Sequence, residues 1–140
     1  LVFSIIAKNA TQSSQSIVRG GIVTGIGTAV GSEATMFQGG LNNYDVPSFK
    51  TARIRGSLTV ISLGSNSFLQ IELFDTRAGR IISQARATVN NQTVFFDFSM
   101  AQRRVAASQD FDIQSKGDNV ANDGSLEWSA EITELPNNSG

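Results

Sequence analysis

Ala52-Arg53-Ile54-Arg55-Gly56-Ser57-Leu58-Thr59-Val60-Ile61-Ser62-Leu63 is the stretch that decides the fold class. In an extended chain, Ala52, Ile54, Leu58 and Val60 fall on one side, and Arg53, Arg55, Ser57 and Thr59 fall on the other. Successive side chains of a strand point to opposite faces, so this period of two describes a strand with one face in a core and one outside.

The same period recurs downstream. A turn, Gly64-Ser65-Asn66-Ser67, leads into Phe68 to Asp75, where Leu69, Ile71 and Leu73 alternate with Gln70 and Glu72. Asp75-Thr76-Arg77-Ala78-Gly79 joins an acidic turn starter to a glycine, the chemistry of a bulged hairpin. Arg80 to Val89 is the returning strand. Asn90-Asn91-Gln92 turns the chain into Thr93 to Ser99, and small Ala85 and Ala87 are expected to pair beside bulky Phe96 and Phe98 as neighbouring strands. Met100 to Ala107 permits a short helical turn or a crossover. Phe111 and Ile113 restore a strand, Lys116 to Ser125 reads as loop, and Leu126, Trp128, Ala130 and Ile132 line the inner face of the last strand.

The N-terminal third reads differently. The first 50 residues carry five charged side chains (Lys8, Arg19, Glu33, Asp45 and Lys50), against 18 in the other 90. The apolar residues of Gly20 to Gly31 are spaced by glycines and need a surface to lie against. The expected fold is all-β: an antiparallel β-sandwich, jelly-roll-like, with residues 1–46 as an extended charge-poor N-terminal arm or strand segment and residues 47–140 as the sandwich core of one domain.

Composition removes several kinds of chemistry. The 140 residues include no histidine and no cysteine. The usual general base, the commonest metal ligand, thiol catalysis and disulfides are therefore all lacking. With a net charge of −1 there is no global field to hold a nucleic acid, and no apolar run reaches the ~18 residues of a membrane helix. The expectation is a protein that is not an enzyme and has no cofactor, no metal, no nucleic-acid partner and no membrane span.

Four motifs bear on chemistry. Asp110 and Asp112 share a strand face at roughly 6–7 Å, the spacing of a glycosidase pair; a solvated strand face is the simpler reading. The glycine run includes Gly25-Ile26-Gly27 but lacks the rest of a dinucleotide fingerprint, so its glycines more simply allow bulges or close backbone approach. Asp118 to Gly124 gathers oxygen ligands without the EF-hand spacing, and a polar turn accounts for it. Seven arginines from Arg53 to Arg104 could converge on an anion, although alternating charge on exposed strands explains them as well.

Function is read from what lies on the nominally outer faces. Ile61, Leu63, Phe68, Phe74, Ile82, Phe95 and Leu135 are apolar where solvent is expected, which implies a second buried surface. The leading expectation is a self-assembling structural subunit, such as a virion capsid, decoration or fibre protein or a cell-surface filament. It would form a trimer or larger homo-oligomer at a virion or extracellular surface, alone or with other virion proteins. Its assembly interface would use Val2, Phe3, Ile5, Ile22, Val23, Ile26, Ile61, Phe74, Ile82 and Phe95. The alternative is a lectin-like sandwich that binds surface glycans or a receptor through loops near Tyr44 and Asn66 and through Asn119, Asn122 and Asp123. Trp128 lies in phase with the core, which denies that site its stacking aromatic.

Overall fold

The computed structural model describes residues 16–28, 32–33, 44–102 and 110–136. They form strands β1 (Ser16–Ile26), β2 (Ser32–Glu33), β3 (Tyr44–Asp45), β4 (Lys50–Ser62), β5 (Leu69–Asp75), β6 (Arg80–Ala87), β7 (Thr93–Gln102), β8 (Asp110–Gly117) and β9 (Gly124–Pro136), with no helix among them. One sheet has the order β1-β9-β4-β7; the other has the order β2-β8-β5-β6, with β3 also on β8. Every pairing is antiparallel. The two sheets make the expected β-sandwich. Among the described residues, no helix is long and apolar enough to cross a membrane.

The alternation read from the sequence sets the core. Ile54, Leu58 and Val60 of β4 are fully enclosed, as are Leu69, Ile71 and Leu73 of β5, and Phe111, Leu126 and Ile132 close the layer. Each such side chain contributes about 1.5–3 kcal/mol by leaving water, and truncating Leu58 to alanine would cost about 2–5 kcal/mol. Trp128 is buried, as its phase requires. The hairpin between β5 and β6 is also present: Asp75 Oδ1 accepts from the amides of Arg77 (3.0 Å) and Ala78 (3.1 Å).

One expectation of strand pairing changes. The strands carrying Ala85 and Ala87 and Phe96 and Phe98 are not neighbours in one sheet. Ala85 and Ala87 pair with Ile71 and Leu69, whereas Phe96 and Phe98 pair with Gly56 and Ile54. Both strands still contribute to one core, but from opposite sheets. The connection explains why. The amide of Asn91 donates to Val60 O (2.9 Å) and that of Val60 to Gln92 O (3.0 Å), so the segment docks on β4 and carries the chain across. Gln92 Oε1 holds the bend by accepting from the amides of Thr88 (2.9 Å) and Val89 (3.2 Å). Of the ambiguous Met100 to Ala107, Met100 to Gln102 end β7 and the remainder lies outside the described residues.

Within the described residues the N-terminal arm or strand segment supplies a strand of the sandwich: Ser16 to Thr24 pair with Thr133 to Ser125, making β1 the outer strand of the four-stranded sheet. Tyr44 and Val46 are buried, with the Tyr44 ring centred 5.1 Å from that of Phe111. The glycines serve the two purposes expected of them. Gly25, at φ 77°, makes the bulge between Thr24 and Ile26. Gly20 lies so close to β9 that a Cβ would stand 2.7 Å from the carbonyl oxygen of Trp128.

Candidate functional site

The register of the four-stranded sheet arranges its outer face in rows. One row runs Val18, Glu131, Arg55, Asp97; the next Gly20, Ser129, Ser57, Phe95; the next Ile22, Glu127, Thr59, Thr93. The middle row holds one large side chain and three small residues. Phe95, 79% exposed, therefore stands at one edge of a trough floored by small residues. A depression of about 610 Å³ lies there, lined by Arg55, Ser57, Phe95, Asp97 and Glu131 among others. A second, of about 250 Å³, continues past Ser57 and Ser129 toward Glu127.

Two ion pairs stand on this face. Arg53 grips Asp97 with two hydrogen bonds, Nη2 to Oδ2 at 2.7 Å and Nε to Oδ1 at 3.1 Å. The hydrogen bond from Arg53 holds the Asp97 carboxyl below the usual carboxylate range. Arg55 reaches Glu131 at 3.5 Å. The hydroxyls of Thr59 and Thr93 meet at 2.7 Å. Around these polar pairs stand Val18 and Ile22, both more than 60% exposed, with Ile61 and Leu135. The arginines thus do not converge on an anion site among the described residues. Arg53 and Arg55 face acids, while Arg86 donates to Gln70 Oε1 and lies 3.7 Å over the Phe68 ring.

The residues expected at an assembly interface separate into groups. Ile22, Ile61 and Phe95 share the outer face just described. Phe74 and Ile82 belong to the other sheet, half-buried and exposed respectively. Val23 is partly buried against the core, and Ile26 is fully enclosed within it, so Ile26 offers no surface. The bulge at Gly25 shifts the register so that Ile26 lies opposite Gly124. Val2, Phe3 and Ile5 lie outside the described residues.

The candidate ligand loop is occupied with structure. Asp123 accepts from the Ser65 amide (2.9 Å) and hydroxyl (2.8 Å), and those bonds, the amide first, hold its carboxyl below the usual range. Asp118 Oδ1 accepts from the Ser67 amide (2.7 Å), and Asn119 Oδ1 accepts from the Ala121 amide (2.8 Å). Asn122 takes a left-handed backbone (φ 52°) beside Gly27. Asn66 is the hub of this end. Its Nδ2 donates to the carbonyls of Ile26 (3.2 Å) and Leu63 (2.9 Å), while its Oδ1 accepts from the amides of Asp118 (2.8 Å) and Asn119 (2.9 Å). Tyr44 and Asn66, placed beside a glycan loop from the sequence, are both buried. No group of three or more metal-ligating acids occurs among the described residues.

The solvated reading of Asp112 is also corrected. Asp112 is buried, as are Gln70, Glu72 and Gln114 on the same outward side of β5 and β8. Gln70 Nε2 donates to Glu72 Oε1 (2.5 Å) and to Gln84 Oε1 (3.2 Å), whereas Glu72 Oε2 has no hydrogen-bond partner among the described residues. Strand phase identified the side of the sheet but could not say that this side would be enclosed. The side chain of Asp110 is outside the described set.

Neither a protein-family model nor a curated protein matches the sequence. Among solved structures the chain is similar to "Crystal structure of infectious bursal disease virus VP2 subviral particle", at 11% identity and a TM-score of 0.37. The likeness covers 87% of this chain and 34% of that one, so the chain spans about a third of that protein's length.

Proposed function

We propose that this chain is a non-enzymatic structural subunit that assembles with copies of itself, as a virion shell, decoration or fibre protein or a surface filament does. The observation that carries the reading is the outer face of the four-stranded sheet. Val18, Ile22, Ile61, Phe95 and Leu135 stand exposed on it, around two ion pairs, Arg53–Asp97 and Arg55–Glu131. An antiparallel sheet with one face in water ordinarily alternates apolar inside with polar outside. Large apolar side chains gathered on the outer face are the mark of a surface that another molecule covers.

The nesting of the strand pairs supports a jelly-roll form of the sandwich. β1 pairs with β9, β2 and β3 with β8, β4 with β7, and β5 with β6. This is the order produced by rolling one long hairpin across two layers, with β2 and β3 serving as one interrupted strand. The polar end of the sandwich does not favour glycan binding, because Asn66, Asp118, Asn119 and Asp123 are engaged in joining its turns.

Sedimentation velocity of the purified 140-residue chain over a wide concentration range tests the reading. Defined species larger than one chain are expected. A single species of monomer mass at every concentration would reject it.

A further inference from the structure

We infer that the outer face of the four-stranded sheet docks on the same face of a second copy, about a two-fold axis that runs parallel to the strands between β4 and β9. The inference rests on the assembly reading and specifies its contact.

The rows of the outer face fix the contact. A two-fold axis in that direction lays each row on itself in reverse, because it exchanges β7 with β1 and β4 with β9 while leaving the level along the strands unchanged. In the row Gly20, Ser129, Ser57, Phe95, reversal sets Phe95 of each copy over Gly20 of the other and the serines over one another. The projecting ring therefore enters the other copy's trough, at a position where Gly20 offers no side chain to oppose it. In the row Val18, Glu131, Arg55, Asp97, reversal sets Arg55 over Glu131 and Glu131 over Arg55, so two charge pairs form across the contact, while Val18 lies over Asp97, whose charge Arg53 of its own chain already pairs. In the third row Ile22 lies over Thr93 and Glu127 over Thr59. Shape and charge are thus complementary under one operation, which a contact using the same patch on both copies requires.

The dimensions suit a pair of modest strength. Four strands about 4.8 Å apart, overlapping for about nine residues, give a patch of roughly 19 by 30 Å on each copy. Two such patches cover about 1,100 Å², just above the ~1,000 Å² that a specific contact needs. Face-to-face sheets pack about 10 Å apart with strands within about 30°, a spacing that the interleaved Phe95 rings fill.

The test is a pair of charge reversals, Arg55→Glu and Glu131→Arg, made in separate chains. Both side chains are well exposed in one chain (52% and 40%), so neither change disturbs the core, and unchanged thermal melting checks this. Each variant alone would face like charge at both crossings, and its self-association is expected to weaken at least tenfold. In an equal mixture the Arg55→Glu chain brings an acid to both crossings and the Glu131→Arg chain brings a base to both. Opposite charges then meet again, so association is expected to return, with one copy of each variant per pair by native mass spectrometry. Phe95→Asp should abolish association without rescue by either charge variant.

The inference is overturned if the single variants associate as the unchanged chain does, or if mixing them restores nothing. In both cases the assembly reading survives, provided that the unchanged chain is oligomeric. An unchanged chain that stays monomeric throughout would remove the reading and the inference together.

Discussion

Replacing Asn66 by alanine should cost the protein a large share of its stability, although the residue belongs to a turn. Its amide spans three chain segments: the end of β1 through Ile26, the turn after β4 through Leu63, and the loop before β9 through Asp118 and Asn119. Alanine leaves two carbonyls and two amides without these partners. A buried backbone group left unpaired costs about 1–3 kcal/mol, and water reaching the outer members reduces the sum, so the expected loss is about 3–5 kcal/mol. Space is tight as well: a Cβ on Gly124 would come within 2.9 Å of Asn66 Nδ2 and 2.7 Å of Leu69 Cδ2, so the neighbouring loop is shaped around this side chain. Urea unfolding followed by the fluorescence of Trp128, the sole tryptophan, measures the effect. Asn66→Asp separates the roles of the two amide atoms. It keeps the acceptor for Asp118 and Asn119 but turns a second oxygen toward two carbonyls, so it should be unstable at neutral pH. It should recover relative to the unchanged chain on acidification, as a protonated carboxyl regains a donor. A loss below about 1 kcal/mol for Asn66→Ala at an unchanged m-value would refute this account of the hub.

The remaining predictions concern single positions. Asp123 has its carboxyl depressed by the Ser65 amide and hydroxyl, so its contribution is present above the ordinary carboxylate range and is lost as pH falls through the depressed value. Urea midpoints between pH 2 and pH 7 should therefore show a flatter acid limb for Asp123→Asn below about pH 4. Gly56→Ala should destabilise by about 2–4 kcal/mol, because a Cβ there meets Ser129 O and stands 2.7 Å from Ala130 Cα; a raised melting temperature would contradict the closeness of β4 and β9. Glu72→Gln replaces a fully enclosed carboxyl whose Oε2 lacks a partner among the described residues while keeping the acceptor for Gln70. It should leave stability unchanged or raise it by about 1–2 kcal/mol, and a loss in thermal or urea melting would mean that the carboxyl is needed.

The parts legible in the sequence are those governed by local period. Ile54, Leu58, Leu69, Ile71 and Trp128 announced their inward phase because a strand has only two sides. The hairpin closed by Asp75 and Gly79 was legible for the same local reason, since turn chemistry fixes it within one short segment. Sheet membership was not. Asn90-Asn91-Gln92 has the composition of a hairpin turn, and only the docking of Asn91 and Gln92 on Val60, far earlier in the chain, sends the chain to the other sheet.

The candidate site was half legible. Phe95 and Ile61 were conspicuous as apolar residues out of phase, and Ile22 as part of a glycine-spaced run that needs a surface, but the trough beside Phe95 exists only because register aligns Ser57, Ser129 and Gly20 from three distant segments. None of those residues draws notice alone. Asn66 drew notice only as a neighbour of a glycan loop and not as a buried hub, since a polar residue in a turn is ordinarily solvated.

The central claim is that other copies of the chain cover the outer face of the four-stranded sheet, and hydroxyl-radical footprinting at low and high protein concentration tests it most directly. Val18, Ile22 and Phe95 are 63%, 64% and 79% exposed in one chain, while Val89 and Val120, off that face, are 60% and 80% exposed and serve as internal controls. The account predicts that labelling of Val18, Ile22 and Phe95 falls with concentration while that of Val89 and Val120 holds. Equal labelling of all five at every concentration, or protection confined to Val89 and Val120, would contradict it.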